Sequence, residues 1–158
     1  MEFKPQESYD LDLDHLQEAY TQASSREEAD LDMLIKGVKL VRGDFLEPFN
    51  LPDTAHFEDW IIVNQEIWHR RVNQVFDRLS QEQLRRGAHL EAAETLDRWL
   101  SYDSVSEIAH HRRIQLFYNQ GKRTDALEAY NFHSEILCEK LGLDPNPDTR
   151  ALVEKIRS

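Results

Sequence analysis

Apolar residues recur at three- and four-residue intervals over most of the 158-residue chain. That is the period of helices that bury one face. Leu13, Leu16, Ala19, Tyr20 and Ala23 share such a face and predict a first helix starting near Asp12 or Asp14. Residues 1–11 read as a polar, partly extended lead-in arm. Ser25, with Glu28 three residues later, has the form of a capping box. It predicts a second helix carrying Ala29, Met33, Leu34, Val38 and Val41 and stopping at Gly43, which closes a first hairpin. The connection from Gly43 to Thr54 holds Phe45, Leu46, Phe49 and Leu51 and is stiffened by Pro48 and Pro52. Four large apolar side chains predict that it folds back onto the helices. The longest helical run follows, from Pro52-Asp53-Thr54 to Gly87, with Asn73 as the place for a break. Further helices are expected at 89–101, 105–119 and 123–140. The last of these stops at Leu141-Gly142-Leu143, and a short final helix opens with Asn146 as cap and Pro147 at its first position.

Two stretches inside this pattern match each other. Gly87, Ala92, Glu94 and Leu96 are followed 34 residues later by Gly121, Ala126, Glu128 and Tyr130. A 34-residue unit of helix, glycine turn and helix is the tetratricopeptide spacing. The glycine sits where a helix ends and the chain reverses through a left-handed residue. The alanine five residues on lets the second helix lie close against the first. The predicted fold is all-α: a tetratricopeptide-like, right-handed helical solenoid of about three hairpins, closed by a C-terminal capping helix. It occupies residues 12–158 as one domain.

Composition narrows the function. Gly and Pro together number 10, which favours helices over strands and turns. A single cysteine, Cys138, excludes an internal disulfide and any paired-cysteine zinc site, and is expected as a small core residue in a cytoplasmic protein. The net charge of −11 is uneven: residues 1–60 hold 5 Lys/Arg against 15 Asp/Glu, and the remainder is close to neutral. The acidic half would repel a phosphate backbone, so no direct nucleic-acid contact is expected. No apolar run approaches a membrane span, and no membrane partner is expected.

Seven histidines raise the question of a metal, but adjacent His110 and His111 point about 100° apart on a helix, and no other spacing converges on an ion. They are expected to be solvated or to line a groove. Nucleophile elbow, phosphate-cradling loop and paired catalytic carboxylates are all missing, so neither an enzyme nor a bound cofactor is expected. Arg71, Arg78 and Arg85 recur every seven residues on the long helix. They read as a charged outer face, with an anion-binding stripe for an acidic or phosphorylated segment as the alternative. In register, Asp77 matches His111, Gln81 matches Gln115, and Arg85 matches Asn119. On the first helices of two successive repeats these polar residues are expected to line a partner-binding groove.

Several motifs fall in a telling order: Leu40-Val41-Arg42-Gly43-Asp44-Phe45-Leu46, Phe57-Glu58-Asp59-Trp60, the two glycine–alanine repeats, and Leu141-Gly142-Leu143-Asp144-Pro145-Asn146-Pro147-Asp148-Thr149. This order resembles the bacterial transcriptional activator domain of SARP-type antibiotic regulators and related larger regulators. The resemblance covers residues 10–157 and is most specific at the ending. It departs from the usual repeat at Ser104, where a proline commonly stands. It implies a regulatory, protein-interaction role in transcription, with DNA binding supplied by a winged-helix domain upstream. Neither the strands nor the basic recognition helix of such a domain is in this chain, and Phe3-Lys4-Pro5 would suit the join to it. The implied partners are the regulator's own DNA-binding domain, a second protomer in a homodimer, or the transcription machinery. The alternative is a stand-alone tetratricopeptide adaptor that captures a peptide.

Overall fold

A computed structural model describes the backbone of residues 6–41 and 55–158, and the side chains of residues 14–41, 59 and 62–158. Seven helices and no strand occur among the described residues: α1 (Gln6–Ser24), α2 (Leu31–Leu40), α3 (Ala55–Arg85), α4 (His89–Tyr102), α5 (Glu107–Asn119), α6 (Arg123–Leu141) and α7 (Pro147–Arg157). The chain is therefore all-α, with tetratricopeptide-like helical hairpins. It divides into two compact units, Met1–Glu82 and Gln83–Ser158.

In the first unit α1 packs against α2. Leu16, Ala19, Leu34 and Val38 turn inward, as their spacing predicts, and on α3 so do Val72, Val75, Phe76 and Leu79. The approach of α1 to α2 depends on Gly37. A Cβ built there would lie 2.4 Å from the Ala19 methyl and 3.8 Å from Val75, so no side chain fits without moving a helix.

Four boundaries differ from expectation. Helix α2 ends at Leu40, with Val41 an extended C-cap, ahead of the expected stop at Gly43. Backbone helix begins at Gln6, ahead of Asp12, within the stretch expected to be extended. The cap of α2 is Asp30 rather than Ser25: Asp30 Oδ1 accepts from Asp32 N–H at 3.1 Å and Met33 N–H at 3.4 Å. Ser25 Oγ accepts only from Glu27 N–H two residues on, a local turn that comes before the helix. Finally, α3 continues through Asn73, whose side-chain amide donates back to the His69 carbonyl at 2.8 Å. The expected packing of the 43–54 connection lies outside the described residues.

The second unit follows the repeat closely. Gly87 and Gly121 have φ of +72° and +73°, left-handed values that favour glycine. Each sits in the same hydrogen-bond pattern: Gly87 N–H to Leu84 and Ala88 N–H to Gln83, then Gly121 N–H to Tyr118 and Lys122 N–H to Phe117. In both cases a C″ amide satisfies a carbonyl five residues back, so the helix stops and the chain reverses. Ala92 and Ala126, the small residues of the period, are fully buried. Ile114, Ala126, Val153 and Ile156 form a core shared by α5, α6 and α7. The final helix is capped as its sequence predicts, with Asn146 Oδ1 accepting from Thr149 N–H at 2.8 Å and Pro147 at its start.

Candidate functional site

Helices α5 and α6 form an antiparallel hairpin, so residues early on one face residues late on the other. His110, Arg113 and Phe117 on α5 meet Asp125, Glu128, Ala129 and Phe132 on α6 around a groove of about 380 Å³. Both sets step by three and four residues, so the groove follows the helix axes for about two turns, roughly 10 Å. Phe132 is 52% exposed. Arg113 is the only cation among the lining residues, and it pairs with Asp97 of α4 at 3.3 Å while lying over the Phe117 ring. Asp125 and Glu128 are exposed carboxylates on the open rim.

Beneath one end of the groove lies a stack of histidines. The His110 and His133 rings are 4.2 Å apart and nearly parallel. Both are buried. His110 Nε2–H donates to the Ser104 carbonyl at 2.9 Å, while neither ring nitrogen of His133 has a hydrogen-bond partner. His111, on the next side of α5, shares a hydrogen bond of 3.0 Å with Thr149 Oγ1 of α7. Burial lowers the His133 pKa to about 4, and the neighbouring His110 and His111 push it the same way. His110 is lowered by burial against its bond to Ser104, and His111 by burial against the nearby Asp148 carboxylate. Neutral rings can stack in a dry interior; charged ones would repel.

The residues singled out from the sequence fall on α3 and α5. Gln115 and Asn119 are exposed on α5, one and two turns beyond the half-buried His111. On α3, Gln81 and Arg85 are exposed and Asp77 is half-buried. Arg71 is engaged inside the first unit: it donates to Gln17 Oε1 at 2.8 Å and lies 5.2 Å from the Tyr20 ring centre and 5.0 Å from that of Trp68. Arg78 donates to the Glu27 carbonyl at 3.2 Å. Two members of the seven-residue arginine stripe thus tie α3 to α1 and to the α1–α2 connection.

A family model described as the bacterial transcriptional activator domain matches residues 11–157. The chain belongs to that family. No curated protein and no solved structure matches it.

In this activator domain His110 lines a groove, one of the two settings expected of the histidines, but the burial of His110 and His133 and the α5–α6 groove itself are what sequence reasoning missed. The repeat carried a signal for the pair. His110 and His133 stand 34 residues after Phe76 and Trp99, which are both buried. Stepping back by one period would have put the two imidazoles in core positions, not in solvent. A second correction concerns Cys138, which is exposed rather than part of the core. The inward face of α6 runs through Ala126, His133 and Leu137, and Cys138 lies one residue round from it. Among the described residues, no group of three or more His, Cys, Asp or Glu is placed to hold a metal ion. None of their helices is long and apolar enough to cross a membrane.

Proposed function

We propose that this activator domain works as the regulatory docking module of a bacterial transcription regulator in the cytoplasm and carries out no reaction of its own. In this reading it contacts the regulator's winged-helix DNA-binding domain, a second protomer or the transcription machinery. The winged-helix domain, joined ahead of α1, supplies contact with DNA. Differential contacts in active and inactive states would let the helical module restrain or release that domain. The observation that carries the reading is the family match over residues 11–157. The charge of −11 supports a protein rather than a nucleic-acid partner. Exposed polar residues on the first helices of the repeats, Gln81 and Arg85 on α3 and Gln115 and Asn119 on α5, suit transient recognition.

A bacterial two-hybrid assay tests this with three baits: a second copy of the chain, the winged-helix domain of the same regulator, and the RNA polymerase subunits. Reporter signal above the unfused control with at least one bait is the expected result. No signal with any of the three, from a chain shown to be helical by circular dichroism, would contradict the proposal.

A further inference from the structure

The α5–α6 groove has a chemistry of its own. Its floor is aromatic and apolar, made by Phe117, Ala129 and Phe132 over the buried His110 ring. Its α6 wall is acidic. Asp125 and Glu128 line it, and Glu135 and Glu139 continue the series along α6 past Phe132 at three- and four-residue steps. All five are exposed, and none of the four carboxylates makes an ion pair with a cation among the described residues. Arg113, the α5 cation that lines the groove, is already matched by Asp97. An apolar trough about two turns long beside a row of uncommitted carboxylates suits one kind of occupant. That occupant is a helix with apolar side chains on one face, to fill the trough, and Lys or Arg beside them, to meet the row. An acidic or neutral helix would leave the carboxylates facing like charge or apolar surface.

We infer that this groove is a docking site for a basic amphipathic helix of a partner protein. The inference rests on the docking reading above and adds to it the face used and the chemistry of the partner. Exposed Phe132, at one end of the groove, serves as the anchor, covered when the helix binds. Asp125 and Glu128 select basic partners and speed encounter; much of that effect disappears when salt screens it. The same carboxylates, on a chain of charge −11, turn away nucleic acid from this face.

The test uses a synthetic 15-residue helix with leucine at three positions of one face, lysine flanking them and alanine elsewhere. A second peptide has glutamate in place of every lysine. Fluorescence anisotropy at about 50 mM salt reads binding to the full chain, and ¹H–¹⁵N spectra locate it. Saturable binding of the lysine peptide is expected, with amide shifts centred on residues 117–132. The affinity should fall by about tenfold or more in Asp125→Lys/Glu128→Lys and again in Phe132→Ala, and the glutamate peptide should not bind. These variants alter exposed side chains, and unchanged helicity by circular dichroism confirms that they fold. No binding of the lysine peptide would overturn the inference, as would equal affinity for the variants, which would mean general adhesion to an acidic chain. A positive two-hybrid signal alongside either result would retain the docking reading and discard this groove as its site.

Discussion

The two helical hairpins α1–α2 and α5–α6 solve one problem in different ways. In the first, a glycine inside a helix removes a side chain so that two backbones can close on each other, with Gly37 against Ala19. In the second, the glycine lies in the turn. Gly121 supplies a left-handed residue and has nothing within 4 Å of where a Cβ would sit. The first hairpin uses its glycine for contact and the second for direction. A hairpin sealed by contact leaves little between its helices. The α5–α6 hairpin, closed by the fully buried Ala126, carries instead a groove along its helices and a buried pair of polar rings. Two arginines of the first unit, Arg71 and Arg78, are likewise taken up by partners within it.

The largest expected effect breaks the contact itself. Gly37→Val should cost about 3 kcal/mol or more, because the added atoms meet a fixed methyl rather than a flexible side-chain end. Gly37→Ala should cost less and recover in part when combined with Ala19→Gly. Thermal and urea unfolding of the four proteins in that cycle measures the coupling, and simple additivity would show that the two residues do not touch.

Acid should act on the other hairpin. With its folded pKa near 4 and an ordinary unfolded value near 6.5, His133 binds fewer protons in the native state than in the unfolded state between those limits. Its contribution is therefore complete above about pH 6.5 and is lost as the pH falls towards 4. The loss amounts to no more than about 3 kcal/mol. The groups around the stack act on it from α5 (His110, His111, Arg112 and Arg113), from the turn (Asp103) and from α7 (Asp148). Unfolding free energies measured from pH 7 to pH 4 should show this slope. In His133→Trp, which installs the residue found one period earlier, it should be much reduced. An unchanged slope would place the titrating group elsewhere.

Gly121→Ala should cost about 1 kcal/mol, all of it from the left-handed backbone, and no substitution in a neighbouring helix should rescue it. Smaller still is the cap of α2. Asp30→Ala should cost about 1 kcal/mol or less and Ser25→Ala a few tenths, which differential scanning calorimetry can separate.

Much of the second unit was legible because its signals are local. Gly87, Gly121, Gly142, Asn146 and Pro147 act within one turn of their own positions, and the 34-residue interval repeats the same solution. Gly37 gave no such signal, since its role depends on Ala19 and Val75 arriving from other helices. Asp30 was overlooked because Ser25 with Glu28 imitates a capping box, and only the hydrogen bonds distinguish a turn from a cap. Register singled out His111, Gln115 and Asn119 on α5, of which His111 meets α7 at Thr149. The α5–α6 cavity is a separate feature on the next side of α5, through His110, Arg113 and Phe117. A single-residue shift on a helix turns the side chain by about 100°, enough to exchange one face for the other.

If the hairpin with the open groove is the one that meets a partner, the most direct test compares charge reversals on the two hairpins against the bait that gives a two-hybrid signal. Asp125→Lys/Glu128→Lys should abolish the reporter signal, and Lys36→Glu/Lys39→Glu, on exposed positions of α2, should leave it intact. Loss with the α2 pair and retention with the α6 pair would contradict the account.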